Sequence, residues 1–335
     1  MANYTTIDNP ELYFQCKNYV GSSSAQSITL DGSEDMQPDF IWFKNRETAS
    51  RHQKYDSARG ATKLLNSDEP DGEQTVSYFT SFDSDGFTIP SGSSALNGGS
   101  QNIIAWCWKE STTAGFDMVT YTGDASTDRS ISHGLSVAPK TMIIKNRSGS
   151  HAWMVYHDVL GSNSGTTRRF LQLDNGNGYN NGGTGDFPAP PTSSVFKVGN
   201  FDTMNKSGDS IIAYCFHEVR GFSKFGLYVG NGSTDGAQVH CGFRPSWLMT
   251  KEYKNGTGHW RVRDNKRSPH NPVGIVLRPD TNVADVTEDN VDFLSNGFKI
   301  RTSGGENNGS GDVYAFWAFA EAPFVNSKGV PCNAR

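Results

Sequence analysis

Three hydrophobic runs, each opened by a proline and closed six residues later by a lysine, divide this chain into comparable thirds. They read Pro38-Asp39-Phe40-Ile41-Trp42-Phe43-Lys44, Pro139-Lys140-Thr141-Met142-Ile143-Ile144-Lys145 and Pro245-Ser246-Trp247-Leu248-Met249-Thr250-Lys251, in steps of 101 and 106 residues. Other anchors keep the same rhythm. Tyr19-Val20-Gly21, Tyr121-Thr122-Gly123 and Tyr228-Val229-Gly230 open each unit, and an aromatic run ending in Glu110, Glu218 or Glu321 closes it. Such recurrence implies one duplicated unit of roughly a hundred residues, and features common to all three copies are then architectural before they are catalytic.

The units read as all-β, as three tandem β-sandwich or jelly-roll-like repeats: 1–110, 111–218 and 219–325, with a short tail at 326–335. Short apolar or alternating runs are separated by clusters of Gly, Asn, Ser and Asp, and no long segment keeps a helical period. In the Pro-to-Lys runs both parities are apolar, Phe40 and Trp42 on one face and Ile41 and Phe43 on the other. A strand of that kind is covered on both sides. The closing runs, Ile103–Trp108, Ile211–Phe216 and Val313–Phe319, share this character and are the best core candidates.

Between them, Ser84-Asp85-Gly86-Phe87 and Ser295-Asn296-Gly297-Phe298 carry hairpin chemistry, with Asp-Gly and Asn-Gly suited to the positive φ of a type I′ turn. A long polar loop, Asp174 to Gly183, cannot be core. It is expected to be a disordered excursion or a contact arm ordered by a neighbour.

The net charge of −5 argues against a protein that binds nucleic acid through phosphate neutralisation. The N-terminus has neither a basic nor an apolar signal region, and no apolar run approaches the ~18 to 20 residues of a membrane span, so the expectation is a soluble product of the cytoplasm with no membrane partner. Cys16, Cys107, Cys215, Cys241 and Cys332 show no CxxC spacing and read as reduced structural thiols, without zinc or disulfides.

Several motifs in one order bear a family likeness. Phe14 with Tyr19-Val20-Gly21, Pro38 to Arg46, Tyr55-Asp56-Ser57-Ala58-Arg59-Gly60, Ser81 to Phe87, Ala105-Trp106-Cys107-Trp108-Lys109 and the ending Phe319 to Phe324 resemble a repeat of structural proteins from marine tailed bacteriophages, notably cyanophages. The resemblance runs from about residue 12 to 324. It implies a virion component of a poorly characterised family, with no known reaction and no catalytic residues to transfer. Two departures stand out: Ser193-Ser194-Val195-Phe196 replaces the Ser-Asp-Gly-Phe turn, and Asp264-Asn265-Lys266-Arg267-Ser268 replaces Asp-Ser-Ala-Arg-Gly.

Among candidate chemistries, His52 with Asp56, His151, His157 with Asp158, and His259 with Asp264 suggest a base and its orienter, but no Gly-x-Ser-x-Gly elbow accompanies them. Asp caps of turns are the simpler reading. Glu73, Asp83 and Asp85 supply only part of a calcium loop and read as a hairpin turn. Glu110, Glu218 and Glu321 read as ion-pair or turn residues. No cofactor or metal is expected.

The stronger signal is basic. Lys44, Arg46, Arg51 and Lys54 follow the first Pro-to-Lys run; Lys145, Arg147, Arg168 and Arg169 the second; Lys251, Arg261, Arg263, Lys266 and Arg267 the third. Around a pseudo-threefold axis these would form a basic ring facing an acidic virion neighbour or an anionic host glycan. Solvated cations paired with local acids are the plainer alternative. Tyr179, Phe187 and Tyr253 are candidate loop aromatics for sugar stacking.

The sequence thus leads to a non-enzymatic virion component, tail-associated or fibre-knob-like, that meets other virion proteins in a homo-oligomer or symmetric assembly and touches a host-surface glycan. The alternatives are a head decoration protein, a lectin-like module or a polysaccharide depolymerase.

Overall fold

A computed structural model describes residues 4–254 and 257–332. Strand accounts for 41% of it and helix for 6%, so the fold is all-β. No helix among the described residues is long and apolar enough to cross a membrane.

Three large antiparallel sheets carry the same strand order. In the first, the opening strand Phe14–Val20 lies at the edge, beside the closing strand Asn102–Trp108, then the Pro-to-Lys strand Phe40–Asn45, then Gln53–Asp56 and Lys63–Asn66. The second runs Phe116–Thr122, Ser210–Phe216, Thr141–Asn146, Met154–His157, Phe170–Gln172, and the third Ser223–Val229, Val313–Pro323, Phe243–Glu252, Arg261–Asp264. Among the described residues each strand pairs only within its own hundred-residue stretch, with no strand exchanged between sandwiches.

Every large sheet is covered on both faces, as the doubly apolar Pro-to-Lys runs require. One face packs on a smaller partner sheet. In the first sandwich this is Gln26–Ile28, Gly86–Ile89 and Ser81–Asp83, and the core between them holds Ile41, Phe43, Tyr55, Phe87 and Ile103. The second and third sandwiches have their own cores of the same kind. The other faces of all three large sheets meet in one common core, which contains all seven tryptophans. Aromatic rings interlock there across sandwiches, as in Phe40 with Tyr214 at 4.6 Å and Trp108 with Trp247 at 5.6 Å between centroids. Cys107 and Cys215 lie buried at matching places in the closing strands.

The hairpins at Asp83–Gly86 and Leu294–Gly297 exist but are not type I′. Their central residues, Ser84-Asp85 and Ser295-Asn296, keep φ negative, and positive φ falls on the following glycines, at 108° and 158°. At Gly86 a Cβ would lie 1.9 Å from the Ile28 carbonyl oxygen, so the glycine serves close strand approach as much as the turn.

A second recurrent device follows each opening strand. Asn97, Asn205 and Asn308, at the ends of three one-turn helices, are buried, and their side-chain oxygens accept from the backbone N–H of Ser22, Asp124 and Asn231. This latch holds the next residue at positive φ: 63° at Ser23, 59° at Ala125 and 68° at Gly232. Only the third site has the residue suited to that conformation. Left-handed backbone costs a non-glycine residue about 1–2 kcal/mol, partly offset by the extra freedom of glycine in the unfolded chain. Ala125→Gly is therefore expected to stabilise the protein by about 0.5–1 kcal/mol in denaturant titration; a loss of stability would show that the latch does not impose this strain.

Candidate functional site

The recurrent polar residues converge on the three seams between sandwiches. Asp68, Asp174 and Asp280 each accept from the backbone N–H of the residue preceding a fourth strand, His52, Trp153 and Trp260, at 3.0, 3.1 and 3.2 Å. The two tryptophans then reach across a seam. The Trp153 indole N–H donates to the Asn66 carbonyl of the first sandwich at 2.7 Å, and that of Trp260 to the Gln172 carbonyl of the second at 2.9 Å.

Five positions beyond each aspartate, the backbone is tied to the next sandwich in sequence, or from the third back to the first. Glu73 N–H donates to the Arg147 carbonyl, Tyr179 N–H to that of Tyr253, and Asp285 N–H to that of Arg46, each at 2.8 Å. The side chains at these places pair too. Arg147 forms a two-pronged pair with Glu73 at 2.7 and 3.0 Å, and Arg46 meets Asp285 at 2.7 Å. At the remaining seam two tyrosines, Tyr179 and Tyr253, stand 6.3 Å apart with Arg169 over Tyr179.

A cycle of side-chain bonds closes the molecule nearer its centre. Tyr214 of the second sandwich donates to Asp56 of the first at 2.6 Å, and Trp317 of the third to Thr141 of the second at 2.9 Å. Trp106 of the first donates to Asp264 of the third at 3.0 Å. Each sandwich thus bonds to the one before it, and the first to the last.

Burial overturns the exposed basic ring. Lys44, Lys145 and Lys251 are at most 1% exposed. Their ammonium groups donate to main-chain carbonyls: Lys44 to Asn45 and Thr48, Lys145 to Pro70 and His151, Lys251 to Gly176, Glu252 and Gly258. Burial brings each amine down to about 8, against the opposing pull of acids that include Asp68, Asp174 and Asp280 respectively. Lys54 is buried over the Trp42 ring at 3.7 Å. Arg261, Arg263 and Arg267 are buried as well, the last paired with Asp264 at 2.6 Å and Asp285 at 2.9 Å. A strand covered on both faces has no outward side, so these cations point into seams instead of solvent.

The rest are scattered. Arg51 is half exposed and pairs with Glu69 at 2.6 Å, Arg168 donates to the Asp158 carbonyl at 3.0 Å, and Lys266 lies 3.9 Å from Asp31. Phe187 is 1% exposed in the core of the second sandwich, and Tyr179 packs on the common core, so neither forms a sugar platform. The loop from Asp174 is a contact arm whose neighbour is the third sandwich of the same chain, held through Asn175, Gly176 and Tyr179.

The His–Asp pairs are separated by their partners. His52 Nδ1 accepts from the Trp42 indole, and Asp56 is taken by Arg59 and Tyr214. His157 packs its ring against Trp317, and His259 pairs with Asp280, away from Asp264. His151 stands 3.8 Å from Asp209. Asp56 and Asp264 also accept from the backbone N–H of Arg59 and Arg267, as turn caps. Of the calcium candidates, Asp83 accepts from Ser81 and Thr88, and Asp85 from the Met36 N–H. Glu110 and Glu218 accept from Met118 and Phe225 N–H at the start of the next opening strands, and Glu321 pairs with Arg244 at 2.6 Å.

A family model described as Domain of unknown function (DUF7483) matches residues 9–323. The chain belongs to this family. No curated protein matches it. The DUF7483 match takes in all three sandwiches and both linkers as one stretch, in keeping with seams built from every part of the chain. The seam aspartates were legible in principle: Asp68, Asp174 and Asp280 stand at even 106-residue steps. Asn97, Asn205 and Asn308 recur as well, but in short segments that share little else.

Glu73 gives the seam between the first two sandwiches a pH dependence. Burial raises its pKa, but the Arg147 hydrogen bond and the charges of Arg59 and Arg147 outweigh this and hold the carboxyl below its usual 4.5. A carboxyl lowered by folding contributes fully above pH 4.5 and loses its contribution as pH falls through the folded value. Glu73→Gln is expected to cost about 2 kcal/mol at pH 7. The gap between the thermal midpoints of wild type and variant should narrow as pH falls below 4.5; a gap independent of pH would remove the charge from the explanation.

Proposed function

We propose that this protein is a non-enzymatic structural component of a tailed-bacteriophage virion, tail-associated or knob-like, that joins other virion proteins and presents loops to a host surface. One observation carries the structural part: the lysines common to the three sandwiches, Lys44, Lys145 and Lys251, are turned inward, Lys145 and Lys251 donate across seams to the Pro70 and Gly176 carbonyls, and Glu73, Tyr179 and Asp285 tie the backbone of each sandwich to another. A block closed in this way keeps its outer loops in fixed relation, which suits a building part whose specificity lies in its variable surface. The resemblance of its motifs to virion proteins of marine tailed phages supplies the setting.

The test is immunogold electron microscopy of virions with an antibody against this chain. Label on the tail or its fibres supports the proposal; label over the whole head makes it a decoration protein, and label on neither removes it from the particle.

A further inference from the structure

The three seams share one set of backbone ties, so a feature confined to one place is where specificity should be sought. A cleft of about 510 Å³ is such a feature. It opens where the N-terminal segment, the first linker, a loop of the second sandwich and the second linker converge, lined by residues 4–6, 112–113, 135, 137 and 217–220.

Its walls divide by chemistry. On one side Arg220 lies exposed with its guanidinium 4.7 Å from the centre of the Tyr4 ring, and no acidic group among the described residues pairs with it. Beside it His217 is half-buried, its Nδ1 directed at the Glu218 carbonyl. Glu218, the nearby acid, is already engaged: one carboxylate oxygen accepts from Phe225 N–H at 3.0 Å and the other meets Lys224 at 3.1 Å. Although the chain carries a net charge of −5, this cleft therefore presents an uncompensated cation. The hydroxyl-bearing Thr6 and Thr112 are exposed on its rim, and Val137, 51% exposed, supplies an apolar wall.

We infer that this cleft binds an acidic saccharide residue, with the sugar carboxylate on Arg220, ring hydroxyls on the threonines and the C–H face against Val137. The volume lies within the range of small-ligand sites, which combine apolar walls with a few placed polar groups. Arginine is the side chain best shaped to grip a carboxylate with two parallel N–H donors, and the stacked Tyr4 ring limits the guanidinium's freedom before binding. The inference rests on the host-attachment reading for its biological setting. The binding itself does not: it is measured on the purified chain, so a micrograph placing the protein elsewhere would end the attachment reading and leave the binding result standing.

The probe is a glucuronate-containing oligosaccharide, titrated calorimetrically and followed by saturation-transfer NMR, beside its neutral glucose counterpart and an acidic peptide of equal charge. Saturable binding of the uronate sugar is expected, with the neutral sugar at least tenfold weaker. Arg220→Gln should weaken uronate binding about tenfold, the loss of one charge-assisted pair, while leaving the thermal midpoint unchanged. Arg220→Lys should restore part of it. Absence of saturable uronate binding, equal binding by Arg220→Gln, or equal binding of the acidic peptide would each overturn the inference.

Discussion

Asp264→Ala is expected to cost about 3–5 kcal/mol of folding stability. The carboxylate is fully buried. It holds the Arg267 side chain at 2.6 Å, accepts from the backbone N–H groups of Lys266 and Arg267, and takes the Trp106 indole N–H from the first sandwich at 3.0 Å. Removing it leaves a buried guanidinium with only Asp285 as an acidic partner, and orphans an indole in the common core. Breaking a buried pair costs more than the pair itself was worth, because the surviving charge remains desolvated. Urea unfolding at neutral pH measures this. Arg267→Met added to Asp264→Ala should recover part of the loss, since it removes the stranded charge. A single-variant loss under about 1 kcal/mol would mean that the seam between first and third sandwiches does not depend on this acid.

Trp260→Ala should cost a similar amount, about 3–5 kcal/mol, for a different reason. The side chain is fully buried and packs 5.2 Å from Trp317, so truncation opens a cavity in the common core. Its N–H also donates to the Gln172 and Asn175 carbonyls, which fasten the second sandwich's long loop to the third. Trp260→Phe separates the two contributions: it keeps most of the packing and loses the bonds, and should cost about 1–2 kcal/mol. Amide exchange supplies the local readout. In Trp260→Phe, exchange at Tyr179, whose N–H donates to the Tyr253 carbonyl, should accelerate more than at Glu73 in the matching place of the other seam. Equal acceleration at both would mean that the indole supports the core as a whole and not this joint.

The same loop shows where sequence reasoning stopped. Its run of Asn and Gly excludes it from a core, and that much holds, because it lies on the outside of the common core and pins it by backbone bonds. Its neighbour could not be read, since Gly176 meets Lys251 and Tyr179 meets Tyr253 across about seventy-five residues of chain. Deleting this segment would therefore strip the second seam, where composition alone suggests a dispensable arm. Lys44, Lys145 and Lys251 teach a related lesson. Three recurrent lysines after apolar strands look like a charged surface patch, and only the carbonyls brought to them by folding make an interior place tolerable.

By itself the sequence determined the all-β class and the double burial of the Pro-to-Lys and closing strands. These follow from residue periodicity, which acts over a few positions. Tertiary structure decided what covered the second face of each large sheet and where the charges went. Trp106 finds Asp264 at a separation of 158 residues, Tyr214 finds Asp56 across the same interval, and Arg46 finds Asp285 across 239. Whether a polar side chain is a surface group or a joint depends on partners that only the closed arrangement of three sandwiches brings within hydrogen-bond reach.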